Sequence, residues 1–208
     1  MLEVIVGCMY SGKTSELLRR IRLSEIAGLR CSSFKHGSDQ RYSREHIATH
    51  PNPLGDSGSP PQYALCTPVP SAELKEALQG ALSAGSECIA IDEIQFFDRE
   101  VMPWIVEAAD QARVVVAGLT LDARGFPFPI MPELLSNADD IQLLHAVCTN
   151  KVGPKEGKQR VCGRKATRTL DLTVKESKAA GVPLIAVGSY ERYAARCRPC
   201  WVSEQTKR

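Results

Sequence analysis

Lysine and threonine stand side by side at the end of a glycine-bracketed run, Gly7-Cys8-Met9-Tyr10-Ser11-Gly12-Lys13-Thr14. The spacing G-x-x-x-x-G-K-[ST] is that of a phosphate-binding P-loop. The chemistry accounts for the spacing. Gly7 and Gly12 let the backbone turn tightly and bring its N–H groups against phosphate oxygens. Lys13 is a point charge that reaches the β- and γ-phosphates, and the Thr14 hydroxyl is placed to ligate Mg²⁺. A helix that starts here turns its positive N-terminus toward the anion.

A second group of residues carries carboxylates. Cys88-Ile89-Ala90-Ile91-Asp92-Glu93 is a small apolar run that ends in two acids. This is the Walker B pattern, in which a buried strand delivers Asp92 to the Mg²⁺ between the phosphates. Alone, it also describes a surface carboxylate pair; the P-loop in the same chain favours the metal reading. Glu93, one residue beyond, is placed to accept a proton from an attacking hydroxyl or water.

The third group is soft. Cys197-Arg198-Pro199-Cys200 has the C-x-x-C spacing of a zinc knuckle. Its partners are Cys148 and Cys162, with thirteen residues between them. Four cysteines close a tetrahedral Zn²⁺ site and leave no open position, so the metal would be structural. A redox C-x-x-C or unrelated thiols are the alternatives. Cys8, Cys31, Cys66 and Cys88 are scattered through the first half, and Cys31 and Cys88 read as packed thiols. The four histidines offer no pair at metal spacing. His145, on an apolar run, is expected to be packed, and His50 receives no role.

These residues need elements to hold them. Residues 2–6 read as a strand and 13–27 as an amphipathic helix, with Leu17, Leu18 and Ile21 at helical spacing and Gly28 at its end. Residues 31–35 read as a second strand. Residues 51–70 hold six of the thirteen prolines and read as a loop. Ser71 reads as the N-cap of a helix through Leu74, Leu78 and Leu82, and Asp98 as the cap of a helix over 99–110. Residues 88–91, 114–119 and 141–147 are apolar strands. Strand alternating with helix implies an α/β fold, a largely parallel sheet with helices on both faces. The pattern changes near Ala146–Cys148, which divides a nucleotide-binding domain, 1–146, from a zinc-binding domain, 147–208.

Composition sets outer bounds. The chain has 208 residues, 43% hydrophobic and 24% charged, as in ordinary globular domains. A net charge of +2 gives no argument for a polyanion partner, and 6% aromatics gives no stacking platform for single strands. No apolar run reaches membrane-spanning length. The N-terminus has neither the basic flank nor the cleavage site of a signal peptide, so the expected compartment is the cytoplasm.

Taken together, the motifs resemble those of the type II thymidine kinases. In that family a Met and an aromatic typically precede Ser-Gly-Lys, as Met9 and Tyr10 do here. Asp39-Gln40-Arg41-Tyr42 resembles its D-x-R-Y segment, and Asp92-Glu93-Ile94-Gln95-Phe96-Phe97 its D-E-x-Q-F-F. Gly118-Leu119 with Arg124-Gly125 and Pro127-Phe128 resembles its G-L-D-x-x-F-R-G-x-P-F loop. Gly188, Tyr193, Cys197-Arg198 and Cys200 resemble its closing G-x-x-x-x-Y-x-x-x-C-R-x-C.

The resemblance covers nearly the whole chain and implies ATP-dependent phosphorylation of the 5′-hydroxyl of thymidine or deoxyuridine. It implies a RecA-like domain, a small zinc domain and a homotetramer, with no nucleic-acid or membrane partner. By the same carry-over, Gly7 to Ser15 hold the donor phosphates, and Thr14 and Asp92 serve Mg²⁺. Asp39 and Arg41 lie near the metal and the transferring group, Gln95 lies on the cofactor side, and Glu93 is the base. Phe96 and Phe128 flank the nucleobase, and Leu119 belongs to the loop that lines its pocket. Main chain around Val187 and Gly188, with the Tyr193 side chain, closes over the nucleoside. Of Phe96 and Phe97, neighbours point in opposite directions, so Phe97 is expected in the core.

Three positions depart from the family pattern. Thr120 replaces Asp after Gly-Leu, Ala123 replaces Phe before Arg-Gly, and the first zinc pair is stretched to Cys148…Cys162. A competing reading is a zinc-ribbon P-loop ATPase acting on nucleic acid, with Lys151, Lys155, Lys158, Arg160, Arg164 and Lys165 as its basic footprint. A non-enzymatic zinc-binding interaction module with a degenerate P-loop is a third. The intact Lys13, Thr14, Asp92 and Glu93 speak against it.

Overall fold

The protein is seen here in a computed structural model that describes residues 1–39, 45–49, 62–153, 160–173 and 192–206. In chain order the first elements are β1 (Leu2–Gly7), α1 (Lys13–Ile26), β2 (Cys31–His36), β3 (His46–Ala48), β4 (Tyr63–Leu65) and β5 (Thr67–Val69). They are followed by α2 (Leu74–Ser83), β6 (Cys88–Asp92), α3 (Met102–Gln111), β7 (Arg113–Leu119), α4 (Met131–Asn137) and β8 (Asp140–Leu144). Among the described residues one six-stranded sheet has the order β5-β2-β6-β7-β1-β8, and each neighbouring pair in it is parallel. β3 and β4 form a separate antiparallel pair.

The strands are near-continuous apolar runs because both sheet faces are covered. Alternate residues serve opposite faces. Val4, Val6, Ile89, Ile91, Val114 and Val116 join the cluster that includes residues of α2, α3 and α4. Ile5, Ala90, Val115 and Ala117 join Leu17, Leu18 and Ile21 of α1 on the other face. Burial of each Val, Ile or Leu contributes roughly 1.5–3 kcal/mol, so these layers fix the sheet and its register. Parallel pairing also brings the C-terminal ends of the strands to one edge: Gly7, His36, Asp92 and Leu119.

The structure corrects local expectations. The apolar run 141–147 is not one strand. It ends at Leu144, and β8 is the sheet edge, which leaves Ile141 47% and Leu143 56% exposed. His145 falls in the break and is exposed, not packed. Ser71 opens a 3-10 turn, and its hydroxyl accepts from the Asp98 N–H at 3.0 Å, tying two helix starts together instead of capping its own. Asp98 likewise precedes a 3-10 turn and makes no side-chain cap. The loop read over 51–70 contains β4 and β5 in its described part.

The remaining elements are small: β9 (Ala146–Val147), β10 (Lys151–Val152), β11 (Arg160–Val161), β12 (Lys165–Ala166), β13 (Arg168–Asp171), β14 (Tyr193–Arg196) and α5 (Arg198–Gln205). β9 pairs with β12, β10 with β11, and β13 with β14, each antiparallel. Their shared core is Ala146, Cys148, Ala166, Ala195 and Cys197, joined by Cys8 of the P-loop.

Candidate active site

The P-loop leaves β1 at the C-terminal edge of the sheet. A Cβ on Gly7 would lie 2.6 Å from the Leu144 carbonyl oxygen, so only glycine lets β1 run this close to β8. Gly12 sits at φ 87° immediately before α1, the left-handed conformation that glycine adopts without strain. Tyr10 takes φ 65° without that freedom, a cost concentrated at the loop. Lys13 Nζ donates to the Cys8 carbonyl at 2.9 Å and so folds back across the loop. The buried Ser11 hydroxyl has no protein partner among the described residues. Ser15 is exposed on the first turn of α1, whose leading N–H groups no helix can satisfy internally.

Thr14 Oγ1 donates to Asp92 Oδ2 at 3.2 Å, which joins the P-loop helix to the end of β6. Asp92 Oδ1 accepts from the Glu93 N–H at 3.0 Å. Glu93 itself is at φ 52°, left-handed and not glycine, the second strained residue of the site. Gln95 Nε2 donates to Glu93 Oε2, while Gln95 Oε1 accepts from the Leu119 N–H at 2.9 Å. A Cβ on Gly118 would lie 2.6 Å from that amide oxygen, so glycine there makes room for the bridge. Thr14, Asp92, Glu93, Gln95 and Leu119 therefore lie on one run of hydrogen bonds that joins the start of α1 to the ends of β6 and β7. Gln95, assigned to the cofactor side from sequence, engages both ends of its amide inside the protein and orients the Glu93 carboxylate.

The other expected residues divide. Phe97 is buried in the core against the His36 ring, and Phe96 is half-exposed beside it. Phe128 is buried and packs in the main core cluster. Leu119 is partly buried against the same cluster. Asp39 is half-buried, with its N–H donating to the His36 carbonyl. Arg41, Val187 and Gly188 lie outside the described residues, as does His50. Lys35 is a residue that sequence reasoning passed over. It stands beside Asp92 on the neighbouring strand, is buried, and donates to the His46 carbonyl at 3.1 Å. Its signal was a lysine inside a strand otherwise packed from Phe34 onward.

The small C-terminal elements grip the P-loop. Cys8 Sγ donates to the Ala166 carbonyl at 3.2 Å, and burial pushes that thiol up, which keeps it a donor. The Met9 N–H donates to Thr169 Oγ1 at 3.1 Å. Tyr10 OH donates to the Tyr193 carbonyl at 3.2 Å, so Tyr193, buried in β14, contacts the P-loop through its main chain. None of these contacts was visible in the motif spacing.

The four C-terminal cysteines converge. Their Sγ atoms all lie within 4.8 Å of one another, with Cys162 to Cys197 at 3.9 Å and Cys162 to Cys200 at 3.8 Å. Four sulfurs at a Zn–S distance of about 2.3 Å stand about 3.8 Å apart in a tetrahedron. No cysteine of the chain is in a disulfide. The Arg164 backbone N–H draws the Cys162 thiol down to about 7, while burial pushes the Cys148 thiol up and the Cys200 thiol up to about 12, so without a metal the cluster is not uniformly poised as thiolates. The spacing of the four sulfurs is compatible with a structural zinc site.

The family model for thymidine kinase matches residues 1–201. The chain belongs to the thymidine kinase family. It is 39% identical to a thymidine kinase of Thermococcus kodakarensis over 95% of this chain and 91% of that one. It is 40% identical to a thymidine kinase of Coprothermobacter proteolyticus, over 94% of this chain and 87% of the relative. A thymidine kinase of Deinococcus radiodurans is 39% identical, over 93% of this chain and 86% of its own length. Membership in the thymidine kinase family makes the chain a kinase. It accounts for a P-loop, a Walker B acid and a second carboxylate meeting at one edge of a parallel sheet.

Proposed function

We propose that this chain transfers the γ-phosphoryl group of ATP to the 5′-hydroxyl of thymidine, and of deoxyuridine, in nucleotide salvage. The observation that carries the reading is the Glu93 carboxylate. Gln95 orients it, its backbone is held in the left-handed region at φ 52°, and it stands one residue from the Asp92–Thr14 pair. Phosphoryl transfer requires positioning and charge neutralisation more than covalent chemistry. Glu93 accepts the proton of the attacking 5′-hydroxyl as the new O–P bond forms and the bond from the γ-phosphorus to the bridging oxygen breaks, with its electron pair leaving on ADP. Lys13 leaves the Cys8 carbonyl for the phosphate oxygens and, with Arg41, offsets the charge that builds there. Residues 7–15 supply N–H donors, and the leading N–H groups of α1 after Gly12 support a phosphate in that place.

Thr14 and Asp92 would hold Mg²⁺, which neutralises the β- and γ-phosphates; the hydroxyl and carboxylate already in contact suit that hard ion. Cys148, Cys162, Cys197 and Cys200 would hold a structural Zn²⁺, supported by their sulfur spacing. Phe96, Leu119, Phe128, Val187, Gly188 and Tyr193 form the nucleoside side, with half-exposed Phe96 the residue best placed to meet a base. In this reading the kinase domain is 1–146 and the zinc domain 147–208, and the enzyme is a cytoplasmic homotetramer. Among the described residues no helix is long and apolar enough to cross a membrane. The exposed apolar row of β8 gives an assembly something to cover.

Product analysis with γ-labelled ATP tests the proposal. Label in thymidine or deoxyuridine 5′-monophosphate is expected. Label released only as inorganic phosphate, faster with DNA or RNA, would replace the kinase with the nucleic-acid ATPase.

A further inference from the structure

The loop between β7 and α4 is braced from within. Asp122 is buried, and its carboxylate accepts from the N–H groups of Arg124 and Phe126, both at 2.9 Å. The Asp122 N–H donates to the Phe126 carbonyl, the Phe128 N–H to the Thr120 carbonyl, and Leu121 bridges to Pro127. The Arg124 guanidinium closes on Asp122 at 2.9 Å. Such a loop moves as a unit. At one end it joins Leu119, whose N–H holds Gln95 and through it Glu93.

Its tip is held from outside by α5. Trp201 Nε1 donates to the Ala123 carbonyl at 3.3 Å and to the Thr169 carbonyl at 3.1 Å. Gln205 Nε2, one turn on, donates to the same Ala123 carbonyl at 3.1 Å. The Trp201 ring covers Gly125, where a Cβ would lie 3.0 Å from its Cη2 atom. Gly125 is at φ 88°, so the turn and the ring require glycine together. These contacts reach the loop through main chain, so the side chain at 123 takes no part in them. Position 123 is alanine where the family pattern has an aromatic. The ring against this loop comes from α5, immediately after Cys200.

We propose that Trp201 is a positioning residue for nucleoside binding: with Gln205 it fixes the tip of the 119–128 loop and so sets the shape of the base pocket. The inference rests on the kinase reading and on that loop lining the nucleoside site. Gln205 Nε2 donates to the Ala123 carbonyl, whereas Trp201 Nε1 also holds the carbonyl of Thr169, whose Oγ1 accepts from the Met9 N–H; Gln205 therefore separates support of this loop from support of the P-loop. Loosening Gln205 therefore weakens nucleoside binding and leaves ATP binding in place, and loosening Trp201 weakens nucleoside binding more than ATP binding.

The test compares Trp201→Phe, Trp201→Ala and Gln205→Ala with the wild type, each with its zinc content and thermal midpoint measured. Loss of one or two such hydrogen bonds corresponds to about twofold to tenfold in affinity. We expect KM for thymidine to rise about that much in Gln205→Ala and Trp201→Phe, and more in Trp201→Ala, with KM for ATP unchanged in Gln205→Ala and rising less than that for thymidine in the Trp201 variants. In a Trp104→Phe background Trp201 is the sole indole, and its emission is expected to change on adding thymidine without ATP. Unchanged thymidine KM in the folded variants, equal rises in both KM values, or an emission blind to thymidine would each overturn the proposal. A wild type inert toward thymidine would overturn the kinase reading and this inference with it. Normal wild-type turnover with insensitive variants would overturn this inference alone.

Discussion

Val4, Ile5, Ile89, Ile91 and Val114 to Val116 are sealed between helices on both sides of the sheet. The C-terminal elements have far less: beside Leu170 and Tyr193 their buried apolar residues are Ala146, Ala166, Ala195 and cysteines, and four of their six strands are two residues long. Buried alanines contribute little beside the roughly 1.5–3 kcal/mol of each Val or Ile. The sheet therefore holds itself, while the smaller region depends on a cross-link such as the four-cysteine site. In the proposed reading, chemistry and support divide along the same line. Lys13, Thr14, Asp92 and Glu93 stand on the sheet edge; the small region holds residues 8–10 and 123–125 from behind.

The comparison breaks first at the sheet edge. Lys13→Ala or Asp92→Ala should lower turnover by roughly a thousandfold or more, because each removes charge that balances the transferring group. Far-UV circular dichroism should be unchanged, since neither side chain belongs to an apolar cluster. Substantial turnover in either variant would contradict the site.

A smaller and broader loss is expected from the other region. Wild type should contain about one zinc per chain, and the Cys197→Ser, Cys200→Ser double variant should lose it. KM should then rise for both ATP and thymidine, because Cys8, Met9 and Tyr10 are anchored to β12, β13 and β14 and Ala123 to α5, all in the region that carries the four cysteines. The sheet's secondary structure should persist. Zinc retained in the double variant, or a rise confined to one substrate, would show that the region does not brace both loops.

The smallest effect probes the sheet far from the site. Glu3 is buried under Arg20 and Arg113. Burial pushes its carboxyl up, but the two guanidiniums outweigh burial and leave it below its ordinary value. A depressed carboxyl contributes stability above its unfolded pKa, and that stability is lost as pH falls through the folded value. Glu3→Gln should lower the thermal midpoint by a few degrees at pH 7, for a loss of about 1–3 kcal/mol. The gap to wild type should narrow as pH falls below about 4. A gap that stays constant into acid would mean that the charge contributes nothing.

How much of this was legible follows from the range of each interaction. The P-loop, the Asp92-Glu93 strand end and the cysteine quartet are local spacings, and the sequence writes them directly. The strands could be read because parallel, doubly covered strands are unbroken apolar runs. The edge position of β8 could not be read, since Ile141 and Leu143 look the same in a core or at a rim. Ser71 and Asp98 were read as caps because each precedes a helix; their partner is each other, across the chain. The Gln95 bridge depends on Gly118, and the Trp201 brace on Gly125, pairings that no local window contains.

One measurement bears most directly on the division of labour. With saturating γ-labelled ATP and thymidine, label entering thymidine 5′-monophosphate is followed for wild type and Glu93→Gln. The amide keeps the shape and can still meet Gln95, but it cannot take the hydroxyl proton. Turnover should fall about a hundredfold to ten-thousandfold with little change in KM for thymidine. Equal turnover with a raised KM would make Glu93 a binding residue and move the chemistry away from the end of β6.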